Sequence, residues 1–187
     1  ILINGASGGI GTFAVQLAKS FGADVTGVCS TRNLEMVCSL GADEVIDYTQ
    51  EDFTKNGQTY DLIFDAVGKS SFPKCKRSLN QKGVYISAIL TCQILFDMLW
   101  TSVLGSKKAK FTIPKITIED LNLVNDLIEA GKVKPVIDRC YPMEQIAEAH
   151  RHSETGHAKG KIIVRVAADS LFSSANRVNG SSYLATN

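Results

Sequence analysis

The sequence predicts an α/β fold, doubly wound about a parallel six-stranded sheet. Three observations predict it. Strand-like and helix-like segments alternate along most of the chain. The strand-like segments are short continuous apolar runs, as expected of strands covered on both faces, and not the in-out alternation of a half-solvated sheet. Between the first strand and the first helix lies a glycine-rich turn containing Gly5, Gly8, Gly9 and Gly11.

The elements follow in order. Residues 1–4 form the first strand. From Ile10 the apolar positions Ile10, Phe13, Ala14, Leu17, Ala18 and Phe21 make the stripe of a helix with one buried face, and Gly22 caps it. D-V-T-G-V-C is the second strand, 33–40 a helix closed by Gly41, and E-V-I-D the third strand. D-L-I-F-D (61–65) is the fourth strand, S-F-P-K-C-K-R-S-L a short helix, and G-V-Y-I-S the fifth strand. The run 88–104 approaches the length of a membrane span, but Asp97 near its middle would be costly in lipid, so it reads as a buried or half-buried helix. A-K-F-T-I is the sixth strand, and 117–130 a helix ending at Gly131. After Lys134 the rhythm changes to an extended P-V-I-D-R-C-Y-P, a helix M-E-Q-I-A-E-A-H-R-H and a strand G-K-I-I-V-R-V. From Ala167 the chain is rich in Ser and Asn without periodicity and reads as a disordered tail.

The totals bound the function. A chain of 187 residues with 44% hydrophobic and 21% charged residues can bury a sizeable core. Twenty Lys and Arg against nineteen Asp and Glu give no general attraction for nucleic acid or acidic membranes, so neither is expected as a partner. Five cysteines, an odd number with no C-x-x-C, argue against a disulfide framework and a local zinc knuckle, and for reduced thiols in a cytoplasmic setting.

The glycine turn carries the chemistry. A tight strand-to-helix turn needs positive φ at one position, close approach of a diphosphate excludes a side chain at another, and helix-to-sheet packing excludes bulk at Gly11. The helix N-terminus then faces the pyrophosphate of a dinucleotide. This is the Rossmann arrangement. A bare turn without ligand is the competing reading. An NAD site carries an acid at the end of the second strand, to bind the ribose hydroxyls. Here that end reads Cys29, Ser30, Thr31, Arg32, Asn33, with no acid. Hydroxyls and a guanidinium suit a 2′-phosphate that a carboxylate would repel, so NADP(H) is the expected cofactor. Arg32 could otherwise be a solvated surface arginine.

G-A-S-G-G-I-G-T-F-A-V-Q-L-A-K, S-L-G-A-D-E-V-I-D-Y, F-D-A-V-G and A-H-R-H-S-E-T-G-H-A-K-G-K-I-I-V together resemble the medium-chain dehydrogenase/reductase superfamily, in its zinc-independent, quinone oxidoreductase-like branch. The resemblance runs from residue 1 to about 166. It implies a nucleotide-binding domain over 1–134, a return segment over 135–166 that packs on an N-terminal catalytic domain absent from this chain, and a flexible tail over 167–187. It implies hydride transfer from NADPH to a quinone or conjugated carbonyl. Ser7, Gly8, Gly9 and Ile10 match the pyrophosphate turn, and Ser30, Thr31, Arg32 and Asn33 the loop at the adenosine phosphate. Tyr48 matches a tyrosine at the adenosine end, and reads equally as a half-buried surface residue. Ala66 and Val67 match the segment beside the nicotinamide ribose, or simply end a buried strand. No catalytic residue is assigned, because those groups would lie largely in the absent half, and no metal ligand is expected. His150, His152 and His157 read as surface histidines. Pairing of two copies through the sixth strand, around Phe111, is a further family expectation. Two alternatives remain: a zinc-dependent alcohol dehydrogenase of the same superfamily, and a non-catalytic nucleotide-binding module. A short-chain dehydrogenase would need Lys four residues after a Tyr, and no Tyr here has one.

Overall fold

Three short apolar strands near the start of the chain set the architecture. Leu2–Asn4 (β1), Thr26–Cys29 (β2) and Glu44–Asp47 (β3) pair in parallel, with β1 in the middle of the final sheet. They are joined by helices Gly11–Ser20 (α1) and Leu34–Ser39 (α2). The second half repeats the pattern with Tyr60–Asp65 (β4), Leu79–Ser87 (β5) and Lys108–Phe111 (β6), separated by Phe72–Cys75 (α3) and Cys92–Val103 (α4). The strand order is β3-β2-β1-β4-β5-β6, every pairing parallel, in this computed structural model describing residues 1–103, 105–111 and 116–166. This is the doubly wound order of a Rossmann domain, with its winding reversed between β1 and β4.

Successive side chains of a strand point to opposite faces, so each strand feeds two cores. Leu2 joins Ile63, Tyr85, Phe72 and Ile94 on the α3–α4 side, while Ile3 joins Val15, Val25 and Val37 on the α1–α2 side. Leu2 and Ile3 are fully buried, and truncating either to Ala would cost about 2–5 kcal/mol.

The 3₁₀ turn Thr31–Asn33 leads into α2, one turn ahead of a plain helix start. Ile118–Glu129 (α5) begins at a capping box: Thr117 Oγ1 accepts from Asp120 N at 3.2 Å, and Asp120 Oδ2 accepts from Thr117 N at 3.0 Å. Ile137–Pro142 (β7) and Lys161–Arg165 (β8) form a separate parallel pair bridged by Ile146–Glu154 (α6). The buried Gln16 of α1 clamps this segment, accepting from Lys134 N at 2.7 Å and donating to Lys134 O at 3.0 Å.

The helix in the run 88–104 differs from a simple half-buried one. Its buried side holds Ile94, Asp97 and Thr101, whereas Leu95, Phe96, Leu99, Trp100 and Val103 are exposed. Thr101 Oγ1 accepts from Ala109 N of β6 at 3.1 Å, which ties this side to the sheet edge; Asp97 Oδ1 accepts from Gln93 Nε2 of the same helix at 3.0 Å, and its buried Oδ2 has no partner among the described residues. The expected tail over 167–187 lies outside the described residues, as do Thr112 and Ile113 of the expected sixth strand.

Candidate cofactor cleft

The glycine turn folds as a hook over the end of β1. The amides of Gly5 and Ala6 both donate to Val28 O at 3.0 Å, which ties the turn to β2. Gly5 takes φ +84°, a conformation costly for any residue with a Cβ, and its open face is covered by Val67. A Cβ on Gly11 would lie inside the Gly5 carbonyl oxygen and 2.7 Å from Ala6 Cα, so helix and turn touch backbone to backbone. The first i→i−4 bond of α1 is Thr12 N to Gly8 O at 3.0 Å. The amides of Gly9, Ile10 and Gly11 therefore precede the helical ladder, and the positive end of the helix dipole lies at this turn.

A cleft of about 1080 Å³ opens over the strand ends, beside the turn. Of the expected residues, Gly5, Ser7, Gly8, Ser30, Arg32, Asn33, Tyr48 and Val67 line it. Gly9, Ile10, Gly11, Thr31 and Ala66 do not. Gly9 and Gly11 act through packing, Ile10 is half exposed beside the helix start, and Ala66 is buried, its amide donating to Asn4 O at 3.1 Å.

Asn33 ties the glycine turn to the loop after β2. Its Nδ2 donates to Ser7 Oγ at 3.1 Å and to Ser30 Oγ at 3.2 Å. Each serine oxygen is thus an acceptor inside the protein, and its own hydrogen is left to donate into the cleft. Asn33 Oδ1 is buried and has no hydrogen-bond partner among the described residues. Arg32 stands on the cleft wall next to these donors, and Lys55, Lys69 and Lys74 add cations along its length. Lys55 is spoken for in part by Asp52, at 3.3 Å.

Thr31 is oriented differently from its neighbours. Its hydroxyl donates to Asp47 Oδ2 at 2.5 Å, across the β2–β3 register that pairs Cys29 with Asp47. The hydrogen bonds from Thr31 and then Thr49 hold the Asp47 carboxyl below its usual range. So an acid does lie close to the end of β2, but it belongs to β3, is held by the two threonines, and is not part of the cleft wall. Tyr48, the next residue, is 57% exposed and lines the cleft.

The opposite wall includes Gly156, His157 and Ala158 of the loop before β8. That loop is fastened to the glycine turn: Gly160 N donates to Ser7 O at 3.0 Å, and Lys161 Nζ lies 5.6 Å from the Phe13 ring centre. The sequence reading of three surface histidines holds for His150 and His157, which are exposed. His152 instead is half buried, its Nε2 3.0 Å from Asp138 Oδ2 and its Nδ1 2.9 Å from Tyr141 OH, tying α6 to β7. Periodicity could not reveal this, because the partners lie on different elements.

A doubly wound sheet with a glycine hook and a cleft over the β1–β4 switch point defines the class of nucleotide-binding α/β proteins. Residues 40–164 match the family of zinc-binding dehydrogenases, and the chain belongs to that family. It is 37% identical to a mitochondrial NAD(P)H oxidoreductase of Mus musculus, over 88% of this chain and 47% of that one. It is also 37% identical to a chloroplast envelope quinone oxidoreductase homolog of Arabidopsis thaliana, over 88% of this chain and 51% of that one. The quinone oxidoreductase of Coxiella burnetii has the same fold, with a TM-score of 0.79 and 29% identity over 89% of this chain and 52% of that one. The chain thus spans about half the length of the relatives it matches. Among the described residues no three His, Cys, Asp or Glu side chains gather where they could hold a metal ion. Nor, among them, is any helix long and apolar enough to cross a membrane.

Proposed function

We propose that the chain is the cofactor-binding part of an NADPH-dependent oxidoreductase whose substrate is a quinone or conjugated carbonyl. The donor set after β2 supports this most directly: Ser30 held by Asn33, Arg32 beside it, and no carboxylate at the end of β2. That set suits a 2′-phosphate better than a pair of ribose hydroxyls. The names of the mouse and Arabidopsis relatives agree with the chemistry.

In this reading Gly5, Ser7, Gly8, Gly9, Ile10 and Gly11 form the pyrophosphate turn. Gly8 leaves the backbone bare toward the cleft, while Gly5 and Gly11 allow the hook its shape. Arg32 and Ser30 hold the 2′-phosphate, Thr31 and Asn33 fix their loop, and Tyr48 flanks the adenosine. Ala66 and Val67 bound the nicotinamide end. When bound, NADPH supplies a hydride, and these residues supply its orientation and exclude water from one side. Residues 1–134 form the nucleotide domain, and 135–166 a return segment that completes a second domain. The substrate-facing groups belong to that second domain, and pairing of two copies uses the free edge of β6 near Phe111. The names of the relatives point to mitochondrion and chloroplast, and so lend no support to a cytoplasmic setting.

Titrating the 187-residue chain with NADPH and with NADH tests the cofactor assignment. NADPH binds more tightly, and Arg32→Glu reduces the ratio of the two affinities by at least about tenfold, or about 1.4 kcal/mol. Equal affinities in the unmodified chain would remove the basis of the NADP(H) reading.

A further inference from the structure

Asp65 closes β4, just before the turn whose Val67, Lys69 and Ser70 line the cleft, and it is fully buried. Five donors converge on it. Oδ1 accepts from Asn4 Nδ2 at 3.0 Å, Val67 N at 3.2 Å and Gly68 N at 2.9 Å. Oδ2 accepts from Ser70 N at 2.9 Å and Tyr85 OH at 3.0 Å. Every partner is a donor, so only a group with two acceptor oxygens satisfies them all. Burial first, and then the Asp65 charge, push the Tyr85 phenol above its usual range, so Tyr85 stays a donor.

The arrangement does more than fill a core. Three of the donors are backbone amides of one turn, 67–70, and that turn forms the cleft wall through Val67, Lys69 and Ser70. Asn4 brings in the end of β1, immediately before the glycine hook. Val67 lies over Gly5, where an added Cβ would come within 2.5 Å of Val67 Cγ1. One carboxylate therefore sets the distance between the hook and the wall on the β4 side. In a sheet wound as two mononucleotide halves, β1–β3 take the adenosine half and β4–β6 the other.

We propose that Asp65, supported by Tyr85, is a positioning residue for the nicotinamide riboside half of NADPH, fixing the turn 67–70 against Gly5. This rests on the reading of the cleft as an NADPH site. Asp65 touches no cofactor atom. It acts through Val67 and the backbone of its turn. Loss of its charge pattern loosens that wall while the Ser7–Ser30–Asn33 side stays in place.

The test compares NADPH with adenosine 2′,5′-bisphosphate, which carries the adenosine half alone, by calorimetric titration of the 187-residue chain and two variants. Asp65→Asn turns one acceptor into a donor that faces donors. Tyr85→Phe removes one hydrogen bond and keeps the ring against Phe72. Each variant is expected to weaken NADPH about tenfold and to leave the bisphosphate within about twofold. If Asp65→Asn does not fold, Tyr85→Phe decides alone. Equal weakening of both ligands would assign the network a merely structural role, and unchanged NADPH binding would dismiss it altogether. Each result overturns the proposal while leaving the cofactor reading intact. If the unmodified chain binds the bisphosphate but gains nothing from the nicotinamide half, the proposal also fails. If it binds neither ligand, the cofactor reading fails and takes the proposal with it.

Discussion

Two glycines of the hook have opposite jobs, and single methyl groups can separate them. At Gly11 an added Cβ would overlap the Gly5 carbonyl oxygen and lie 2.7 and 2.8 Å from Ala6 Cα and C. These are backbone atoms of a turn fixed by two bonds to Val28 O, so no side chain can swing aside. Overpacking of a side-chain core typically costs 1–3 kcal/mol, and this site belongs at or above the upper end, about 3 kcal/mol for Gly11→Ala. For a chain of this size that corresponds to a fall in Tm of roughly 6–12 °C. At Gly8 the nearest atom to an added Cβ is Gly5 O at 3.6 Å, an ordinary contact. Gly8→Ala should therefore melt within about 2 °C of the parent. It should nonetheless bind NADPH at least about tenfold more weakly, because its methyl occupies the bare backbone that a diphosphate must approach. Thermal unfolding followed by circular dichroism, and NADPH titration of each variant, make the comparison. A Gly11→Ala chain as stable as the parent, or a Gly8→Ala chain that binds NADPH undiminished, would refute the reasoning from the hook.

Two further outcomes follow from the charge and thiol environments. Asp43 accepts from Lys19 Nζ and from Val25 N at 2.7 Å, and the Lys19 bond and then the Val25 bond lower its pKa below 3.8. A depressed folded-state pKa gives stability that is present above the unfolded value and lost as pH falls through the folded one. Asp43→Asn should thus lower Tm at neutral pH, and the gap should close on acidification below pH 3.8 in unfolding scans at several pH values. A gap independent of pH would show that the carboxylate charge contributes nothing. Burial pushes the thiols of Cys29 and Cys75 up to about 11, whereas Cys38, Cys92 and Cys140 are exposed. A thiol-disulfide reagent should label three cysteines in the native chain and all five in denaturant. Rapid labelling of Cys29 or Cys75 would contradict the packing of β2 or α3.

The parts legible in the sequence were those written locally. The glycine spacing, the apolar stripe of α1 and the runs that became β1 to β5 all appear within a few residues of each other. The sheet order followed from general winding rules. What stayed hidden was made by register. Thr31 and Asp47 meet only because Cys29 and Asp47 are paired across β2 and β3. Asp65 gathers donors from positions 4, 67, 68, 70 and 85, which no window of sequence brings together. The sequence offered one signal: an acid ending an apolar strand and followed by Ala-Val-Gly. α4 was legible in part, as a half-buried helix but not in its orientation: Ile94, Asp97 and Thr101 take the buried side, with Thr101 bonded to Ala109 N of β6, while Leu95, Phe96, Leu99 and Trp100 stay exposed.

The bond from Gly160 to Ser7 has a mechanical consequence. The hook is held at one end by Val28 and at the other by the loop that leads into β8. A Cβ on Gly160 would come within 2.7 Å of Val136 Cβ, so the loop has almost no slack on its far side. The loop before β8 thus ties the β7–β8 pair to the glycine turn. A displacement of the β7–β8 pair would therefore pull on the Ser7 carbonyl through Gly160, so the shape of the glycine turn and the position of that pair are two readings of one movement.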